Sequence, residues 1–460
     1  MKNIASFKIF ILLPFIMLLS CSDFVEVDLP TSQLTTGIVF ESESTANAAM
    51  TDVYSKIRDT GLLTGTASGM SCQLGNYADE LIYYGPAGLS TENFYRNTLL
   101  VDDPTILEWW NSSYNQIYAV NAILEGVENS SSLTGDFKTR LSGESLFLRA
   151  LLHFYLLQVY GDIPYITTTD YLTNSNVSRT SVDQVYQNIE EDLLLAVEYL
   201  PQAYNDGNRT RPNRFAAMAL MARVYLYQGK WAEASEAASA VLNQTQVYSI
   251  ESDLANVFKI ESSETIWQLD SALPGENASE ATTFIIIQGP PPLTALSEQF
   301  MASFENGDLR KEIWTKEITD GNSIWYYPNK YTTFENTGSS IQFSVMLRLS
   351  EQYLIRSEAR AHQGDIIGAR EDLNIIRNTA QLPANTGSTA DGLLAAIAHE
   401  RRVEFFTEHG HRFFDLKRTN SLDSTLGNFK LGWSITDRLL PIPERELLVN
   451  PNLNPQNPGY

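Results

Sequence analysis

Cysteine is nearly absent from this 460-residue chain: Cys21 and Cys72 are the only two. Two thiols cannot build a disulfide framework, so stability has to come from packing. Basic residues are also scarce, with 32 Lys and Arg against 55 Asp and Glu and a formal charge of −23. Such a surface repels phosphate backbones and excludes nucleic acid as a partner. No apolar run is long enough to cross a bilayer as a helix; "IFILLPFIML" near the N-terminus belongs to an apolar stretch of about twelve residues. HExxH, CxxC, the P-loop and GxGxxG are all missing, so no metal, nucleotide or other cofactor is expected. What the chain does have is 43% apolar residues, 11% aromatics and 19% charged residues, enough for a sizeable folded core.

The short apolar run follows Lys2 and Lys8 and ends at "LLSC" (18–21), which reads as a signal peptide over residues 1–20. Leu18, Leu19, Ser20 and Cys21 resemble the bacterial lipobox, whose cysteine is acylated after cleavage just before it. Acyl chains contribute about 0.8 kcal/mol per buried methylene, so several on Cys21 would anchor the body to a leaflet without spanning it. Loss of Lys2 and Lys8 leaves 30 basic residues against 55 acidic ones. A lipidated Cys21 also leaves Cys72 without a partner. "SDFVEVDLPTSQLTTG" (22–37) lacks helical periodicity and reads as a tether, giving a lipidated, tethered segment over 21–40 and one domain over 41–460.

From about Ser42, "STANAAMTDVYSKIRD" and "DPTILEWWNSSYNQIYAVNAILEGVEN" repeat apolar residues at spacings of three and four, the pattern of packed helices. "LFLRALLHFYLLQVY" (146–160) is apolar at twelve of fifteen positions and predicts a helix buried on nearly all sides, with His153 a satisfied core residue. Segments 222–242 and 357–377 each read as helix, glycine, short turn, helix. Gly229 and Gly364 suit the left-handed position that ends a helix, and Ala234 and Ala369 allow close helix contact. The pair resembles tetratricopeptide hairpins, though the two units are too far apart for a regular tandem array. Residues 244–345 are rich in Gly, Pro, Asn and short apolar runs and predict a loop-rich insertion with short strands.

Five blocks, "ESLFLRALLHFYLLQVYGDIPYI", "RFAAMALMARVYLYQGKW", "LRLSEQYLIRSEARAHQGD", "HERRVEFFTEHGHRFFDLKR" and "LLPIPERELLVNPNLNPQNPGY", resemble in order the recurrent blocks of the SusD/RagB family of Bacteroidetes outer-membrane lipoproteins. The resemblance implies a mainly α fold with tetratricopeptide-like hairpins, long loop-rich insertions and a few short strands. It implies a surface-exposed outer-membrane lipoprotein that captures glycan, or in some members peptide, without catalysis. The partner so implied is a SusC-like TonB-dependent transporter that the protein caps as a lid.

The residues also pose a catalytic and a metal-binding alternative. Glu400 and Glu404 share a helical face as a glycosidase pair could, but Arg401 and Arg402 beside them favour a salt-bridged helix. His399, His409 and His411 could meet a cation, yet they lie in a block whose Arg, Glu and aromatic residues suit structural packing. Binding is better supported by aromatics among polar residues, because sugar rings need flat apolar platforms beside hydrogen-bonding groups. "NYADELIYYGPAGLSTENFYRN" (76–97) and "SIWYYPN" (323–329) supply that chemistry, with Asp79, Tyr83, Tyr84, Tyr95, Trp325 and Tyr326 as the expected ligand contacts. Pro328, just beyond two tyrosines, predicts a protruding loop around Trp325.

Overall fold

The computed structural model describes residues 39–460. The leader, Cys21 and residues 21–38 of the expected tether lie outside the described residues. Helix α1 (Glu43–Asp59) starts where the sequence turns periodic: Ser42 Oγ accepts the Thr45 amide at 3.2 Å, Glu43 sits in the first turn, and Lys56 and Arg58 sit in the last. It buries Ala46, Met50, Val53, Tyr54 and Ile57, one stripe at helical spacing. The remaining helices of eight or more residues are α2 (Met70–Tyr77), α3 (Pro104–Asn129), α4 (Gly135–Tyr160), α5 (Val182–Tyr199), α6 (Arg214–Gln228), α7 (Trp231–Leu242), α8 (Leu349–His362), α9 (Ile366–Thr379), α10 (Ala390–Glu404) and α11 (His411–Arg418).

Helices α3 to α9 form a continuous row, each packed on the next, and α10 closes against α8 and α9. The protein is mainly α, with tetratricopeptide-like hairpins at α6–α7 and α8–α9. Gly229 and Gly364 take φ values of 71° and 82° at the two hairpin turns, a conformation that costs glycine little. The hairpins are distant in sequence but not in space, because α7 packs directly on α8. Ala222, Ala234, Ala238 and Ala359 form a small-residue cluster with Leu226 and Ile355 that lets these helices approach closely. The expected break in the array is thus bridged by tertiary contact.

Helix α4 is the axis of the main core, with every residue from Gly143 to Tyr160 buried. Its polar residues are satisfied locally. Arg149 grips Asp192 of α5 through two bonds of 2.7 and 2.6 Å, and His153 Nδ1 bonds the Arg149 carbonyl at 2.9 Å while its Nε2 accepts the Ile166 amide at 3.1 Å. Burial pushes the His153 pKa down to about 3, so the ring is neutral.

The segment between α7 and α8 carries most of the strands. In chain order these are β1 (Leu81–Tyr83), β2 (Thr265–Leu269), β3 (Thr294–Leu296), β4 (Thr315–Thr319), β5 (Ile324–Pro328) and β6 (Ser344–Arg348). Strand β2 pairs antiparallel with β6, which runs straight into α8, so the segment is pinched at its base. The other four make an antiparallel sheet in the order β1-β3-β5-β4, in which β1 comes from the N-terminal half. A second core cluster under this sheet includes Leu81, Leu296, Phe300, Trp314 and Phe406.

Where that segment meets α10, charge replaces apolar packing. Glu400 and Glu404 are ion-paired as the helix pattern suggests, but to remote partners rather than to Arg401 and Arg402. Arg310 reaches both carboxylates, at 2.7 and 2.9 Å; Arg377 adds a 3.1 Å contact to Glu400 and Arg348 a 2.5 Å contact to Glu404. Burial alone would raise the Glu404 pKa, but Arg348 and Arg310 hold it down to about 2. Arg401 and Arg402 turn instead to Asp415 and Asp79. Spacing along the helix identified charged faces correctly and could not identify what the fold brings to them.

Candidate ligand-binding site

The antiparallel sheet brings the two aromatic segments together. Strand β1 delivers Tyr83 and the chain directly after it delivers Tyr84, whose amide donates to the Leu293 carbonyl at 2.8 Å. Strand β5 delivers Trp325, which meets Tyr84 edge-on with ring centroids 6.4 Å apart and planes at 88°. Tyr95, on the short helix Ser90–Arg96, lies beside Tyr83 with centroids 6.5 Å apart. Tyr84 is 42% exposed and the other three rings are half-buried, so the cluster is anchored yet open to solvent. Aromatic pairs at such distances add about 0.5–1.5 kcal/mol beyond burial, which favours a fixed arrangement.

Trp325 is not on a loop. It sits in β5, paired with Ile318 of β4, and Pro328 ends the strand opposite Thr315. A proline is tolerated there because a strand end needs no further ladder donor. Strand periodicity also separates Trp325 from its neighbour: Tyr326, opposite Leu296, packs against the second core cluster. Tyr327 is the residue that shares Trp325's face, alongside Lys316. The indole also lies against Gly289, where an added Cβ would come within 2.4 Å of the ring, so a glycine is needed behind the platform.

Asp79 does not belong to the platform. Its carboxylate is fully buried, with Arg412 at 2.7 and 2.8 Å and Arg402 at 2.9 Å. Burial raises its pKa, and the two guanidiniums outweigh that and hold it below the usual range. Adjacent Glu80 has only the Thr407 amide, at 3.3 Å, and burial pushes its pKa up to about 8. Tyr77 and Phe94 are fully buried and form an edge-on pair in the main core. Two carboxylates outside the expected contacts border the platform: Glu92 lies close enough to raise the Tyr83 phenol behind the main effect of burial, and exposed Glu298 acts likewise on Tyr84.

The histidines are dispersed. His409 Nε2 bonds the Val345 carbonyl at 2.9 Å, His411 packs on Phe405, and His399 reaches Glu305 at 4.0 Å. Among the described residues no group of three His, Cys, Asp or Glu could hold a metal ion. Cys72 is buried and unpaired, with its pKa raised to about 12 by burial. Among the described residues no helix is long and apolar enough to cross a membrane.

Two family models match this chain: residues 69–226 fit a SusD-like family described as starch-binding associating with outer membrane, and residues 310–460 fit the SusD family. A SusD-like protein of Formosa agariphila is 25% identical, with 99% of each chain covered. A crystal structure of a SusD superfamily protein from Bacteroides vulgatus superposes with a TM-score of 0.78 at 22% identity, covering 92% of this chain and all of the other. A laminarin-binding SusD-like protein superposes with a TM-score of 0.75 at 24% identity, covering 91% of this chain and 99% of the other.

Proposed function

The chain belongs to the SusD/RagB family, and we propose on that premise that it is a cell-surface lipoprotein that binds glycan on the platform of Tyr83, Tyr84, Tyr95 and Trp325. Cys21 is its lipid anchor in the outer membrane, and a SusC-like TonB-dependent transporter receives the glycan beneath it. The observation that carries the binding role is the edge contact between Tyr84 and Trp325, which joins two distant parts of the chain on an exposed surface. Flat rings offer C–H contact to pyranose faces, and Glu92 and Glu298 stand beside them to accept hydroxyl hydrogen bonds. A relative that bears laminarin binding in its name shares this fold. The role is non-catalytic. The carboxylate pair whose spacing suited a glycosidase, Glu400 with Glu404, lies in the interior, held by Arg310, Arg377 and Arg348. Calorimetric titration against panels of oligosaccharides and peptides, with chromatography of the products, tests the reading. Binding of an intact oligosaccharide that Tyr84→Ala or Trp325→Ala weakens at least tenfold supports it. Peptide binding at the same rings would replace glycan as the ligand, and a cleaved product would overturn the non-catalytic role.

A further inference from the structure

Tyr95 has a cation behind it. Lys430, 6% exposed, places its Nζ 4.1 Å from the centroid of the Tyr95 ring and donates to two backbone carbonyls, Asn76 at 2.6 Å and Tyr95 itself at 3.0 Å. The ammonium therefore ties the end of α2 to the short helix that carries Tyr95. The chain next to Lys430 presses on both elements: an added Cβ on Gly432 would come within 2.0 Å of the Arg96 carbonyl of the short helix, and Trp433 meets Tyr77 at the end of α2 edge-on at 6.0 Å. This C-terminal segment is thus moulded against residues 95–97, with Lys430 as its polar contact.

We propose that Lys430 is a positioning residue for the platform, holding Tyr95 in its ligand-ready place most firmly as an ammonium and less firmly as a neutral amine. The inference rests on the platform reading above. An ammonium near an aromatic face is attracted by the ring quadrupole, whereas a neutral amine keeps only its hydrogen bonds. The carboxylate that acts on Lys430 is Asp79, in the turn after α2, and Arg402 of α10 and Arg412 of α11 neutralise it through direct bonds. The Arg96 side chain, on the same short helix as Tyr95, points to Glu92 at 2.8 Å. Burial therefore dominates and lowers the Lys430 pKa to about 7, with Asp79 pulling the other way. The clamp is charged below neutrality and neutral above it.

The test compares wild type, Lys430→Met and Lys430→Arg, each as the mature protein, at pH 6 and pH 8.5. Hydrogen exchange of residues 90–97, corrected for intrinsic rates, needs no ligand. Wild type should exchange faster at pH 8.5, Lys430→Met fast at both values, and Lys430→Arg slowly at both, because a guanidinium keeps its charge. Calorimetric titration with laminarin supplies the binding readout: affinity should fall about threefold to tenfold at pH 8.5 in wild type and not in Lys430→Arg. Protection of 90–97 that is the same in all three proteins at both pH values overturns the clamp. Lost protection with unchanged laminarin affinity in both Lys430→Met and Tyr95→Ala keeps the clamp and removes Tyr95 from the platform. Unchanged affinity in Lys430→Met alone overturns the positioning role.

Discussion

Trp325 and Tyr84 face the same question from opposite ends of the chain: each ring either meets ligand or only seals its neighbour. If the indole stacks on a sugar, Trp325→Ala should cost on the order of 2 kcal/mol, a weakening of roughly thirtyfold, with little change in melting temperature. A lowered melting point with unchanged affinity, read from titrations and melts of the same samples, would assign the ring to the fold alone. Glu80 gives a test in the other direction. Its pKa, raised to about 8, means the folded state holds a proton that the unfolded chain releases near its ordinary value, so this group stabilises less as pH rises from about 4.5 to 8. Glu80→Gln keeps an acceptor for Thr407 without the charge and should stabilise by on the order of 1 kcal/mol or more at pH 8, with little effect at pH 4. Chemical denaturation at the two pH values measures it. At this scale the sequence supplied residue types reliably and orientation poorly. Asp79 reads like Glu92 in the same acidic, aromatic stretch, and only Arg402 and Arg412, more than 300 residues away, draw the first inside.

Among the elements, helices were the most legible because their evidence is local. Ser42 caps α1 where the periodicity begins, and Gly229 and Gly364 turn the two hairpins, each for a reason contained within a few residues. Strand β5 was not legible, since a five-residue run ending in proline resembles a loop until β3 and β4 pair with it. The row of helices depends on small side chains where α6, α7 and α8 meet. Ala359→Leu should overpack that junction and cost about 1–3 kcal/mol, while the platform, built on other elements, keeps its ligand affinity. The ion pairs beneath α10 are a stricter constraint: Glu404→Gln leaves Arg348 and Arg310 short of a buried counter-charge and should cost about 3–5 kcal/mol. Denaturant midpoints of the two variants rank these effects. A Glu404→Gln protein as stable as wild type would mean that water or neighbouring acids satisfy the arginines.

For the molecule as a whole, anchoring and partnership follow from the family reading and are tested in the cell. Cys21→Ala should release folded protein from the membrane fraction, and mass spectrometry of the native protein should find Cys21 acylated. Gentle detergent extraction and affinity purification should recover a large β-barrel protein in near-equal amount; its consistent absence would count against the lid role. The fold also delivers one platform ring, Trp325, from a segment that departs from the helical row. The chain leaves the helical row at Leu242 and rejoins it at Leu349, and because α7 packs on α8 the two ends of that excursion are neighbours in space, stapled by β2 and β6. Closing a longer loop between fixed ends is cheap, about 0.6 kcal/mol for each doubling of its length. The excursion is a cassette only in part: the exposed turn between β4 and β5 can be lengthened or rewritten to suit a new ligand, while Arg310, Trp267 and the β2–β6 staple must stay because the helical chassis leans on them.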